Sequence, residues 1–189
     1  MEALDSTWSK IEFQPYRESS PVSSCDLVVL NIAADRGIAA DEIKAFNELR
    51  ERQIPAIILV SSLMPEDGIP LADDRWDFDD ITMLITRTLE KPVAPYLVLH
   101  DDEGLPIGLY DLKGDCVINY SSDEGKIEES DQELKEVVRD FKTEFDEEDF
   151  TESDFTSGLR VVALPFIPER RIGVAEADRY LTTLLQVRS

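Results

Sequence analysis

The sequence predicts an α/β protein, with a parallel sheet flanked by helices and interrupted by an inserted α+β subdomain. Three observations carry this. Asp26 to Ile32, Ile54 to Val60 and Arg160 to Leu164 are nearly continuous apolar runs, the pattern of strands buried on both faces. A helical pattern joins the first two, which makes a βαβ unit with a right-handed crossover. Between the second and third runs the chain switches to short strand-like runs divided by turn signals, as an inserted antiparallel unit would.

Taken in order, the first 24 residues hold one short β-like run, Ile11-Glu12-Phe13, then a Pro- and Ser-rich stretch from Pro15 to Ser24 that reads as loop. After the Asp26 strand, Asp41 to Arg52 is a helix with Ile43, Phe46 and Leu49 on one face. The Ile54 strand follows. Asp79 to Glu90 is a second helix, with Ile81, Leu84, Ile85 and Leu89 facing a core and Trp76 and Phe78 packing at its entry.

From Pro95 the runs Pro95 to Leu99, Gly108 to Leu112 and Cys116 to Tyr120 form a meander, with turns at Asp102-Glu103-Gly104 and Lys113-Gly114-Asp115. Ser130 to Phe145 is an amphipathic helix with Ser130 and Glu133 as a capping box and Leu134, Val137, Val138, Phe141 and Phe145 as its apolar stripe. Asp146 to Asp154 is a charge-dense connection, and Val174 to Gln186 is the last helix. The expected organisation is an N-terminal segment 1–24, a core 25–93 and 160–189, and an inserted subdomain 94–159.

The chain has 189 residues, 42% of them hydrophobic, enough to bury a sizeable core. Lys and Arg number 19 against 41 Asp and Glu, so the net charge of −22 repels nucleic-acid phosphates and anionic lipid. Direct nucleic-acid or membrane binding is therefore not expected. A basic protein partner fits the charge, although acidity also serves solubility alone. No stretch has the length of a membrane span, and Met1 to Lys10 is not followed by a signal-peptide core, so the cytoplasm is the expected location. Cys25 and Cys116 show no metal spacing, and free thiols are expected.

Three pieces of the chain, in one order, resemble a known family. Asp26 to Val60 is similar to the strand, turn, helix and strand that end in the guanine-recognition motif of elongation factor G. Leu99 to Asn119, with Gly108-Leu109-Tyr110-Asp111-Leu112, is similar to the start of that family's inserted subdomain. Leu164 to Leu185, with Gly173-Val174 opening a helix, resembles its final strand, loop and helix. The resemblance spans roughly residues 26 to 189 and implies a truncated P-loop-GTPase-like fold.

The nucleotide motifs are missing from it. No GxxxxGK[ST] occurs, and the single Gly-Lys pair, Gly125-Lys126, has Tyr120 where the first glycine belongs and Ile127 where the hydroxyl does. Ser6 to Ser24 contains no glycine for a switch motif. By simple alignment the guanine-reading Asn-Lys-x-Asp falls on Ser61-Ser62-Leu63-Met64, so Ser61, Ser62 and Met64 are degenerate positions without the carboxylate that accepts from guanine. Pro165-Phe166-Ile167 crowds the place of the family's Ser-Ala pair. The family's P-loop strand would lie beside the Asp26 strand. Its absence leaves an edge to be covered by Ile11 to Phe13 or by a second chain, so a monomer or an edge-paired homodimer is expected.

His100 reads as a turn residue rather than a catalytic base, because no nucleophile motif accompanies it. The acidic clusters Asp73 to Asp80 and Asp146 to Asp154 lack EF-hand spacing. No catalytic residue, cofactor or metal ligand is assigned. Glu133, Glu136, Asp140 and Glu144 lie opposite the apolar stripe and are the candidate protein-contact face. The resemblance implies the ribosomal stalk protein as partner, since it docks on that family's inserted subdomain. The expected function is a non-catalytic pseudo-GTPase-like binding or regulatory module, with the translation machinery as its setting. Two alternatives stay open: a fragment of a split or larger GTP-binding translation factor whose nucleotide site is completed elsewhere, and an unrelated acidic α/β protein-interaction domain.

Overall fold

The computed structural model of the chain describes residues 26–64, 76–121 and 125–187. Cys25, the Ile11 to Phe13 run and the Ser-rich stretch lie outside these, as does part of the Asp73 to Asp80 cluster.

Strand β1 (Val28–Ala33) leads through helix α1 (Ala40–Glu51) to β2 (Ala56–Ser61), and the two strands pair in parallel with Leu30 opposite Ile58. Helix α1 starts without a capping hydroxyl. The Glu42 carboxylate instead accepts from the Ala39 N–H at 2.7 Å, closing the first turn. Helix α2 (Phe78–Thr88) starts on a reciprocal pair: Asp77 accepts from the Asp80 N–H at 2.8 Å and Asp80 accepts from the Asp77 N–H. Phe78 is buried, but Trp76 remains exposed, so only one of the two expected entry aromatics packs.

The chain then leaves the parallel sheet through Val93. Its N–H donates to Val161 O at 2.8 Å and its carbonyl accepts from the Ala163 N–H at 2.9 Å. From there it enters an antiparallel sheet of β3 (Tyr96–His100), β4 (Pro106–Asp111), β5 (Cys116–Asn119) and β6 (Lys126–Glu129), paired in chain order. Three helices follow: α3 (Gln132–Val137), α4 (Arg139–Glu147) and α5 (Glu152–Thr156). Strand β7 (Val162–Pro165) then pairs in parallel with β2, giving the order β1-β2-β7. A short 3-10 turn, Pro168–Arg170, precedes α6 (Val174–Val187).

The central strand explains the sequence pattern. In β2, Ala56 to Val60 are all buried, because helices cover both faces of the sheet. The main core joins Ile32, Phe46, Leu49, Ile58, Ile81 and Leu164. A smaller cluster of Leu97, Tyr110, Leu112 and Val138, with Leu134, Val117 and Phe145 against it, holds α3 and α4 on one face of the antiparallel sheet.

The structure corrects the sequence reading in this subdomain. The expected single helix from Ser130 to Phe145 is two helices, broken at Val138. Val138 turns inward and is 4% exposed, whereas Val137 and Phe141 of the expected stripe stand outside at 69% and 45%. The N-cap is Asp131, whose carboxylate accepts from the Leu134 N–H at 2.8 Å. The helix thus begins one residue later than a Ser130 cap requires, and Glu133 is not its closing partner. Strand β6 and helix α5 have no counterpart in the sequence reading, because both hold too few apolar residues to show a period.

Candidate functional site

In an open α/β sheet the ligand position lies beyond the carboxyl ends of the parallel strands. There, Ser61 ends β2, half-buried, and Ser62 turns the chain with a left-handed φ of 57°. Leu63 is buried, and Met64 packs its thioether side chain against the main core. The neighbouring loop leaves β7 at Pro165. The Phe166 N–H donates to Val60 O at 2.8 Å and its ring lies against the core. Ile167 is buried, its N–H donating to Ile172 O at 2.9 Å to close the loop. Gly173 restarts the helix with φ of 82°, its α-carbon so close to Pro165 O that a Cβ would lie 1.8 Å from that oxygen. Ser61, Ser62, Met64 and Phe166 therefore fall together at this end of the sheet. What they present there is hydroxyl and hydrophobic side chain.

The candidate contact face spans the break between α3 and α4. Glu133, Glu136, Asp140 and Glu144 are all exposed, and the outward Val137 and Phe141 lie among them. These four carboxylates do not behave alike. Glu136 lies 3.9 Å from the Arg139 guanidinium across the break, an exposed pair that contributes little. Glu144 accepts from Lys91 at 2.7 Å, and Lys91 also reaches Glu148 at 2.7 Å. Those two carboxylates hold the Lys91 ammonium above its ordinary pKa. Glu148 in turn accepts from Arg160 at 2.6 Å. Glu144 thus belongs partly to a charged strap between the inserted subdomain and the segments on either side of it.

Sequence reasoning did not find the second junction. The Tyr120 hydroxyl donates to both carboxylate oxygens of Glu176, which is 5% exposed. Burial raises the Glu176 pKa, while the Tyr120 hydrogen bond works against that rise. Beside it, the Arg179 guanidinium sits 5.8 Å from the Tyr96 ring centroid and 5.2 Å from that of Tyr180. Arg170 donates to Pro106 O at 3.1 Å. An acidic residue in the first turn of a helix is ordinary, so nothing in the order of residues marked Glu176 as buried.

His100 ends β3, and Cys116 is a half-buried free thiol on β5. Among the described residues no group of three His, Cys, Asp or Glu side chains is placed to hold a metal ion, and no helix is long and apolar enough to cross a membrane.

No family model and no curated protein matches this chain. Among solved structures, the crystal structure of a protein from Thermus thermophilus is similar, with a TM-score of 0.66 and 18% identity. The match covers 85% of this chain and 26% of that one, so this chain spans about a quarter of the length of the solved protein. The likeness is one of fold: a parallel sheet with flanking helices and an attached antiparallel sheet.

Proposed function

We propose that this chain is a non-catalytic binding module built like a degenerate G domain, resembling part of elongation factor G. The observation that carries the reading is the packing at the carboxyl end of the parallel sheet. Met64 and Phe166 lie against the core and Ile167 is buried, so the described positions that would grip a base are turned inward. A hydrogen bond to a charged group contributes about 1.5–3 kcal/mol. Without a carboxylate at Met64, guanine loses two such bonds. Calorimetric titration with GTP, GDP and ATP in the presence of Mg²⁺ tests this; no heat of binding is expected, and micromolar affinity for any of them overturns it.

Binding is assigned to the outer face of α3 and α4. Val137 and Phe141 supply an apolar centre, and Glu133, Glu136, Asp140 and Glu144 an acidic border, which suits a basic protein surface. The resemblance makes the ribosomal stalk protein the candidate and the translation machinery the setting. Capture of purified stalk protein at low salt should weaken in F141A and in E136K/D140K, with the fold unchanged. Equal capture by all three proteins rules out this face.

A second reading takes the chain as a fragment of a split or larger GTP-binding translation factor, with the strand and loops that hold phosphate supplied from elsewhere. Nucleotide binding by a complex of this chain with a P-loop polypeptide, but not by the chain alone, distinguishes it.

A further inference from the structure

The outer edge of the antiparallel sheet is strand β6, the last in the order β3-β4-β5-β6. Hydrogen bonding alternates along antiparallel strands, so one known bond fixes which residues face which neighbour. The Tyr120 N–H donates to Ile107 O and the Leu112 N–H to Pro95 O. In β5, therefore, Ile118 and Cys116 turn their backbone groups to β4, and Val117 and Asn119 turn theirs to β6. Their partners in β6 are Glu128 and Lys126. It follows that the N–H and C=O of Ile127 and Glu129 point away from the sheet. Among the described residues no strand pairs with that edge.

The side chains repeat the message. Val98, Leu109, Ile118 and Ile127 are cross-strand neighbours and form one apolar row on one face of the sheet. Leu109 is fully buried and Val98 and Ile118 pack against the main core, but Ile127 is 73% exposed. The row runs one strand past its cover. Natural edges are usually blunted by short length, charged side chains, a proline or a bulge, and β6 has the first two, being four residues long with Lys126, Glu128 and Glu129 charged. The residue at its open position is nonetheless a β-branched aliphatic with its donor and acceptor outward.

We propose that two copies of this chain join through β6, antiparallel, with Ile127 of each against Ile127 of the other. The choice of a second copy rests on self-complementarity. A two-fold axis at Ile127 pairs the outward backbone groups of the two Ile127 residues and places Lys126 of each copy opposite Glu128 of the other. Those two side chains already meet within one strand, at 3.0 Å, so the dimer shares each charge across the new edge. Two four-stranded sheets become one of eight, and the two exposed Ile127 side chains cover each other. The contact is short, so the dimer belongs to the weak, reversible class. Each copy carries a charge of −22, so the long-range term opposes association and salt relieves it.

Sedimentation over a concentration series tests the proposal on the full chain. Expected is a mass that rises from 21.4 kDa toward twice that value, with association tighter by roughly threefold or more between about 0.05 and 0.5 M NaCl. A basic peptide on the same edge would respond to salt in the opposite sense. Ile127→Pro removes the outward N–H but leaves the bonds to β5, and Ile127→Lys puts a charge at the axis; each should leave the circular dichroism intact and remove the dimer. Lys126→Glu should weaken it about tenfold or more, and Lys126→Glu with Glu128→Lys should restore it. A monomer mass at every concentration and salt overturns the proposal, as does a dimer unmoved by both Ile127 variants.

Discussion

The Tyr120 hydroxyl donates to both carboxylate oxygens of Glu176, at 2.8 and 3.0 Å, and so joins the end of β5 to the first turn of α6. Tyr120 belongs to the inserted subdomain and Glu176 to the parallel core, so this contact is one of the ties between the two, beside the Lys91–Glu144 pair and the Arg170 bond to Pro106 O. Removing only the hydroxyl, in Tyr120→Phe, takes from a buried carboxylate its side-chain donor and leaves it the backbone N–H groups of Glu176 and Gly173. The expected loss is about 1.5–3 kcal/mol, or roughly 3–12 °C in Tm for a chain of this size. Thermal melts of the variant and the wild type measure it; a change below about 1 °C rules the contact out as a structural tie.

The same pair gives a pH dependence. Burial raises the Glu176 pKa in the native state above its ordinary value of 4.5. The native protein therefore holds that proton more tightly than the unfolded chain. Its contribution to stability is fully present below pH 4.5 and is lost as pH rises through the native value. Other carboxylates titrate too, so the useful quantity is wild-type stability minus that of Glu176→Gln, from urea unfolding at each pH. That difference should fall as pH rises from 4.5 and then level off. A flat difference across the range contradicts the raised pKa.

Gly173 should be intolerant of any side chain. Alanine there meets both a left-handed φ and a Cβ position 1.8 Å from Pro165 O. Gly37 is the control, since it has φ of 72° but nothing nearer to its Cβ position than Leu84 at 3.8 Å. Gly37→Ala should cost about 1–2 kcal/mol, the conformational part alone. Gly173→Ala should cost distinctly more, because the backbone of the Pro165 loop must move as well. Denaturant midpoints compare the two.

Adjacent valines should behave oppositely. Val138 is 4% exposed and packs in the small core under α3 and α4, so Val138→Ala should cost about 1.5–3 kcal/mol from lost methyls and the space they leave. Val137 is 69% exposed, and Val137→Ala should change stability by less than about 0.5 kcal/mol. Had α3 and α4 formed one straight helix with the expected stripe, both would be costly. Urea unfolding of the two variants decides between these geometries.

The start of α3 gives a similar contrast. Asp131 caps the helix through the Leu134 N–H, so Asp131→Ala should cost about 1 kcal/mol. Ser130→Ala should cost less, since its hydroxyl caps no helix N–H; it reaches Asp131 O at 3.4 Å and the Tyr110 hydroxyl. A larger effect at Ser130 than at Asp131 in equilibrium unfolding would reinstate the earlier helix start.

The parts of the fold legible in the residue order are those whose signal is local. The Asp26, Ile54 and Arg160 runs are apolar throughout because their strands are covered on both faces. The two-faced burial of β2 makes that pattern unambiguous. The place of the insert shows for the same reason, as the pattern changes where the layer structure does. Ser61, Ser62 and Met64 could be located at the end of β2 because the strand itself is legible. Strand β6, with one aliphatic residue among charges, offered no period to read, and its role at a sheet edge depends on pairing with β5.

Residue order alone therefore determined the α/β class, the parallel strands, the insert and the acidic surface. Each of these follows from composition or from a spacing within one element. The tertiary structure alone decided which side chains of α3 and α4 turn inward, that Glu176 is buried against Tyr120, and that Ile127 stands uncovered at the end of an apolar row. Those outcomes depend on what lies opposite a residue in space. A helical stripe or a lone carboxylate reads the same in sequence whether or not another element covers it.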